Sequence, residues 1–306
     1  MPVEFLTDEQ AAAYGRFTGE PSRAELERFF FLDDTDRVLI EKRRGEHNRL
    51  GFAVQLGTVR YLGTFLADPT EVPSLVVDYV AVQLDVPDPS VIKRYAEREK
   101  TAYEHAWEIR DAYGYRDFSD PGAQEQLRDF MDGRAWTHAE GALALFTQAA
   151  AWLRRHRVLL PGVTTLARLV AQVRDQAAER MYRTVAEAAV SADAQLPYRL
   201  RDLLAVPDGQ RVSELELLRR APTRTSGIAM SKALDRVSTA LAIGARAVQV
   251  QVIPNNRLAA LARYGLTAKA PQLAELAEPR KTATLLATAR HLEPPRSMTP
   301  WTCSTC

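Results

Sequence analysis

The chain has 306 residues, enough for two or three domains with real cores, and its 46% hydrophobic and 26% charged residues are ordinary for a soluble globular protein. No apolar run approaches the roughly 20 residues of a membrane span. The start, Met1-Pro2-Val3-Glu4, has no basic region ahead of an apolar core, and the two cysteines stand at the far end, so neither a secretion signal nor a disulfide framework is expected. A reducing cytoplasm without a membrane partner is the expected setting. The net charge of +1 excludes a uniformly basic nucleic-acid binder, but the charge is unevenly spread. Residues 1–120 carry a net −8 and the remainder a net +9, and within the acidic part Arg37 to Arg60 holds six basic residues against two acidic ones. That is a focused patch on an acidic body. It suits a defined docking face, because phosphate affinity follows local contacts rather than whole-chain charge.

In chain order, Thr7 with Gln10 and Ser22 with Glu25 form capping boxes, and Gly15 closes the first short helix. The second helix should bury Leu26, Phe29 and Phe30. Asp33 to Asp36 is an acid cluster before Val38-Leu39-Ile40, read as helix caps and dipole partners in preference to a metal site. Lys42-Arg43-Arg44 then ends one helix, Gly45 turns the chain, and a second helix runs to about Leu62, ended by Gly63. Leu50, Ala53, Val54 and Gly57 recur at helical spacing and should face inward.

Asp68-Pro69 to Pro73 reads as a linker. Leu75 to Leu84 is a short apolar helix, with a strand left open by its β-branched residues. Pro87-Asp88-Pro89-Ser90 caps a helix holding Val91, Ile92 and Tyr95, followed by the mixed-charge run from Arg94 to His105, in itself a solvated face laced with i,i+4 pairs. Tyr113-Gly114-Tyr115-Arg116-Asp117-Phe118 is a packed exit turn. After Asp120-Pro121-Gly122, Thr137 and Glu140 read as a capping box for a helix to about Val158 with Leu143, Phe146, Ala150 and Leu153 on one stripe. Arg154, Arg155, His156 and Arg157 crowd its last turn, as dipole partners or as DNA-backbone contacts. A long helix from Thr165 buries Leu166, Leu169, Val170, Val173, Ala177, Met181 and Val185. Short helices follow at Ser213–Arg220 and Ser226–Gly244, with a polar loop around Arg224 between them. Val248 to Val252 alternates but has no strand partner, so an extended connection is expected. Asn255 or Asn256 caps a helix to Tyr264, and Pro271–Ala277 and Arg280–Leu292 complete the array.

The chemistry concentrates at the Gly45 turn. Lys42, Arg43, Arg44, His47, Asn48 and Arg49 surround it, on a helix start backed by apolar residues. This suits a helix-turn-helix, whose second helix puts its first residues in the major groove. Arg49 and Asn48 could read guanine and adenine, with Arg43 and Arg44 on phosphates. An ordinary solvated helix end explains the same spacing.

The stretch Lys42 to Leu56, with Arg98-Glu99-Lys100-Thr101 and His105 downstream, resembles the N-terminal region of transposases of the Tn-three family of replicative transposons. Further blocks agree in order: Leu159-Leu160-Pro161-Gly162, Pro254-Asn255-Asn256-Arg257-Leu258 through Gly265, and Pro279-Arg280-Lys281-Thr282-Ala283. The resemblance runs from about Leu26 to Glu293. It implies binding of double-stranded DNA at the transposon's terminal inverted repeats, with a full-length transposase as a partner or competitor, and a catalytic acidic triad in a later domain that this chain does not contain. By the same resemblance Arg98, Lys100, Thr101 and His105 belong to a second DNA-binding module, although Ala102 and Tyr103 stand where the family is more basic.

After Glu293 the texture breaks. The tail Pro294 to Cys306 has no helical period and holds the only Cys-x-x-Cys, at Cys303 and Cys306, two ligands short of a zinc site. With G/C-rich codons, a frame shifted by one base reads Ala-Ala-Val-Asp-Asp-Ala-Leu-Asp-Leu-Phe-Asp-Leu, an amphipathic helix, so a frameshift is the favoured account. No Gly-rich phosphate loop, Gly-x-Ser-x-Gly elbow or His-Glu-x-x-His motif occurs. The expectation is therefore an all-α, non-enzymatic chain without cofactor or metal. Two helix-turn-helix-like modules (1–66 and 67–120) precede a larger helical array (121–293) and a disordered tail (294–306). The rival readings are a helical protein-interaction module and a non-functional remnant.

Overall fold

The computed structural model describes residues 5–95, 97, 99–220 and 226–293. Arg98, the loop around Arg224 and the Cys303/Cys306 tail, each singled out in the sequence, lie outside them. The described chain is all-α. Among these residues the only β feature is an isolated bridge between Arg116 and Val158. The chain divides into two compact units, residues 1–131 with 141–171 and residues 132–140 with 172–306.

In the first unit, α1 (Asp8–Ala13), α2 (Arg23–Phe29) and α3 (Asp34–Glu41) each start on a reciprocal capping box, formed by Thr7 with Gln10, Ser22 with Glu25 and Asp33 with Asp36. The Asp33–Asp36 cluster is thus a cap, as expected. Next comes α4 (Glu46–Leu62), entered through Gly45 at φ +83° and left through Gly63 at φ +82°. Both angles fall where a side chain would be strained, so the two glycines fix where this helix begins and ends. The stretch with the open strand reading is helical, α5 (Ser74–Gln83), because it is packed on α4. A 3₁₀ segment (Pro89–Tyr95) and α6 (Glu99–Ala112) follow.

α2, α3, α5, the 3₁₀ segment and α6 wrap α4. Leu50, Phe52, Ala53, Val54, Leu56 and Val59 are buried around its whole circumference, against Leu26, Phe30, Ile40, Val76, Val80, Ile92, Tyr95 and Ile109. Residues 1–66 and 67–120, read from the sequence as two modules, both contribute to one core, which runs from Leu26 to Ile109. The periodic stripe gave only part of α4's burial, since the helix is covered on every side. Two glycines make that possible. A Cβ on Gly51 would stand 2.3 Å from the Tyr95 ring, and one on Gly57 would stand 2.2 Å from the Phe30 ring.

Three helices complete the first unit and pass into the second: α7 (Pro121–Thr137), α8 (Ala142–Arg155) and α9 (Val163–Ala192). Here the sequence reading needs correction. Thr137 ends α7 instead of capping the next helix, because its hydroxyl donates to the Gly133 carbonyl at 2.9 Å. Glu140 accepts two hydrogen bonds from Arg134, at 2.7 and 2.9 Å, and α8 is capped by Gly141. Leu143 is exposed, and the buried stripe runs through Leu145, Phe146, Ala149, Ala150 and Leu153. On α9 all seven expected core residues are buried.

The second unit packs the end of α9 with α10 (Leu196–Asp202), α11 (Glu214–Arg219), α12 (Gly227–Ile243), α13 (Asn255–Thr267), α14 (Ala270–Ala274) and α15 (Arg280–Leu292). α13 and α15 touch so closely that a Cβ on Gly265 would lie 1.8 Å from Thr288 Oγ1. Pro254 rather than an asparagine precedes α13, and the Asn256 amide donates instead to the Thr137 carbonyl at 2.9 Å. Val248 to Val252 is an irregular connection whose end is held by Arg290, which donates to the Ala245, Arg246 and Val248 carbonyls.

The glycines give a direct test of this packing. Gly51→Ala should lower stability by about 1–3 kcal/mol, because the added methyl overpacks a closed site. Gly133→Ala on exposed α7, where a Cβ meets nothing within 4 Å, should raise stability by about 0.5–1 kcal/mol. Urea midpoints of the two variants should move in opposite directions.

Candidate nucleic-acid interface

The Gly45 turn joins α3 to α4. The Asn48 and Arg49 amides donate to the Gly45 carbonyl, at 3.2 and 3.1 Å, starting α4. Its first backbone amides and partial positive charge sit among the basic side chains. The structure divides the expected contact residues into two groups.

One group is held by the protein itself. The side chain of Arg43, read as a phosphate contact, is only 15% exposed; it forms an ion pair with Glu108 on α6 and lies over the Phe52 ring, 4.9 Å from its centre. It fastens the turn to α6. The Asn48 side-chain amide donates back to the Arg44 carbonyl at 2.8 Å, so it would have to release that bond to read adenine with both ends. His105, read as a DNA contact, is 6% exposed and belongs to the core: its ring meets Phe52 edge-on at 5.2 Å and stacks on Tyr95 at 5.6 Å. Arg43 and His105 are therefore corrected from surface contacts to structural residues.

The other group faces solvent. Lys42 and Arg44 are exposed, and His47 and Arg49 are half-buried. Among the described residues none of these four makes a side-chain hydrogen bond or ion pair. Lys100 is exposed on the first turn of α6, 3.5 Å from Glu104, and Thr101 beside it is half-buried. At the end of α8, Arg157 donates to the Tyr113 carbonyl and His156 stacks on Trp152 at 4.0 Å, while Arg154 and Arg155 remain exposed.

Two polar networks hold this surface in place. Asp36 is fully buried and accepts from Arg60 at 2.7 and 2.8 Å and from the Tyr113 hydroxyl at 2.6 Å. Burial alone would raise its pKa, but these hydrogen bonds and the Arg60 charge outweigh it and hold the carboxyl below its ordinary value. In the second network Gln55 Nε2 donates to the Ala102 carbonyl at 3.0 Å and to the Tyr95 hydroxyl at 2.8 Å, and Tyr95 is 2.9 Å from His105 Nδ1. The Ala102 carbonyl can only accept, which fixes the amide's orientation. Tyr95 then donates to His105, leaving that ring neutral with its proton on Nε2. Burial, helped by the Arg43 charge and opposed by Glu108 and Glu104, pushes the His105 pKa down to about 4.

Sequence reasoning missed Glu108, the anchor of Arg43, and Gln55. Nothing local marks a partner 65 residues away. It also passed over Tyr103 and Trp107, which are exposed one helical turn apart with ring centres 5.9 Å apart. That i,i+4 aromatic pair was a readable signal.

A family model described as "Domain of unknown function (DUF4158)" matches residues 5–173. The chain is 41% identical over 287 residues to the transposase for transposon gamma-delta of Escherichia coli (strain K12), an alignment covering 94% of this chain and 28% of that protein. It is 32% identical over 266 residues to the transposase for transposon Tn501 of Pseudomonas aeruginosa, covering 87% of this chain and 26% of the relative. Over a shorter stretch of 87 residues it is 51% identical to the transposase for transposon Tn4556 of Streptomyces fradiae. The chain thus spans about a quarter of the length of the first two relatives.

The buried histidine makes a pH prediction. Its folded pKa lies below its unfolded value, so the unfolded chain binds the extra proton first, and stability present above about pH 6.5 is lost as pH falls toward about 4. The loss should reach roughly 2–3 kcal/mol, and it begins ahead of the loss from Asp36, which sets in as pH falls through the ordinary carboxylate value. Thermal melts of His105→Gln should lack this slope between pH 6.5 and 4. Parallel profiles for the two proteins would show that His105 is not held neutral.

Proposed function

We propose that this chain, which belongs to the DUF4158 family, binds double-stranded DNA at the terminal inverted repeats of a transposon and serves transposition as an end-recognition segment. The observation that carries this reading is the Gly45 turn. Among the described residues, Lys42, Arg44, His47 and Arg49 have no side-chain partner at this helix start, while Arg43 beside them and Arg60 in the last turn of α4 are held in internal ion pairs. A chain acidic over residues 1–120 that keeps four such groups unpaired in one place has a surface suited to an anion. The similarity to transposases supports the transposition context of this reading.

In this helix-turn-helix reading α4 presents its first turn to the major groove. Arg49 is the base reader, since Asn48 is occupied, and Lys42 and Arg44 hold phosphates. Lys100 and Thr101 lie on a separate helix and add to the surface from α6. No reaction is assigned to these residues; strand cleavage and joining would belong to other parts of a transposase. A protein-interaction reading has one observation of its own, the exposed apolar residues Met230, Leu234, Val237 and Leu241 along α12. Their spacing is that of a helix-pairing seam.

The test is titration of a labelled duplex carrying the element's inverted repeat against a scrambled duplex, at several salt concentrations. Arg49→Ala should cost about 1–3 kcal/mol on the repeat and narrow its advantage over the scrambled duplex. Lys42→Ala and Arg44→Ala should weaken both duplexes alike and each lower the salt slope by about one. Unchanged repeat binding by Arg49→Ala would remove the assignment, and salt-independent association would favour the interaction reading.

A further inference from the structure

In the first unit, between α6 and the segment that follows α4, lies an open cleft of about 1010 Å³. Its walls are apolar, from Phe65, Leu66 and Pro69 after α4 and from Ala102 and Ala106 on α6. Four features set it apart from an ordinary surface groove. Tyr103 and Trp107 line it and are 63% and 44% exposed, a large aromatic area left in water. The Arg110 guanidinium, paired with Asp111 at 3.0 Å, covers the Trp107 ring at 3.6 Å, and Lys100 stands at the same wall, 3.5 Å from Glu104 with a side chain 88% exposed. Gln55 also contributes to the wall and is itself 5% exposed; its Nε2 serves Tyr95 and Ala102, and among the described residues its buried Oε1 has no hydrogen-bond partner. The cleft's two acids, Asp68 and Asp117, are already engaged by turns, accepting from Thr70 and Ser119.

We infer that this cleft takes unpaired nucleotides of a DNA strand, the bases stacking on Tyr103 and Trp107 and the backbone meeting Lys100. The chemistry selects the ligand class. Flat exposed aromatics with a cation on a ring face are how proteins hold bases without pairing them. A purely apolar peptide would use the walls but leave the cations unmatched. The identity of the ligand rests on the nucleic-acid reading above. The site itself is separate from the turn: Gln55 lies nine residues along α4 from Glu46, about 14 Å at helical rise, and the Arg43–Glu108 pair ties the turn to the helix that carries Tyr103 and Trp107. A duplex on the turn with a frayed or single-stranded flank could therefore reach both.

The experiment compares three labelled probes against the full chain by fluorescence anisotropy: an eight-nucleotide single strand, an abasic strand of equal length, and the repeat-bearing duplex. The single strand should bind tighter than the abasic strand. Trp107→Ala should weaken the single strand by about tenfold or more, leave the abasic strand where it was, and change duplex affinity less than twofold. Lys100→Glu, a change at a solvated side chain with no part in the core, should also weaken the single strand and reduce its salt dependence. Equal binding of the base-bearing and abasic strands would overturn the inference. So would single-strand affinity indifferent to both substitutions, or an apolar peptide displacing the strand. If the single strand behaves as expected while the duplex fails to bind, the cleft stands and the reading of the Gly45 turn falls.

Discussion

Everything in the first unit depends on α4 being enclosed on all sides, and two missing side chains permit that enclosure. Gly57 lets Phe30 lie on the helix backbone, and Gly51 does the same for Tyr95. The second contact has consequences beyond packing. With its ring over Gly51, Tyr95 holds its hydroxyl one helical turn further on, at Gln55, where it accepts from the amide and donates to His105. A polar network can then survive inside an apolar core, because the Gln55 amide nitrogen, the Tyr95 hydroxyl and His105 Nδ1 all find partners. His105 in turn packs on Phe52, Phe52 lies under Arg43, and Arg43 pairs with Glu108. A run of contacts thus leads from the enclosed helix to the turn at its start.

That run explains why two adjacent arginines differ in role. Arg43 and Arg44 have the same charge and, from the sequence, the same claim to a phosphate. Only the fold separates them: at the end of α3, one points toward α6 and is used up there, while its neighbour is left in solvent. Arg60 repeats the pattern on α4, neutralising a buried Asp36 that would otherwise be costly to keep charged. In the second unit Arg219 and Arg290 similarly spend their donors on backbone carbonyls. Composition counted all of these as basic residues available to a partner.

What could be read in the sequence follows from the range of the interaction. Caps and glycine stops are local, and Thr7, Ser22, Asp33, Gly45 and Gly63 all act where their neighbours said they would. The inward residues of α9 were legible because one face of a long helix repeats many times. The failures are non-local. Thr137 and Glu140 have the spacing of a capping box, but Arg134 reaches Glu140 from the preceding helix and the box never forms. His105 was placed on a surface by motif position, yet the helix buries the face that carries it. The turn could be found from sequence, but its division into held and free residues could not.

The charge distribution then limits how such a surface can recognise DNA. A segment with a net −8 over its first 120 residues gains little from long-range attraction to a polyanion. In the proposed reading, recognition would come from a few groups placed in advance, with modest salt dependence and most discrimination in base contacts. Pre-placement is what the internal ion pairs provide. Arg43 and Arg60 do not need to touch a ligand to matter, because they fix the angle at which α4 leaves the turn and thus where Arg49 stands. The residues the protein keeps for itself make the few it leaves free specific enough to be useful.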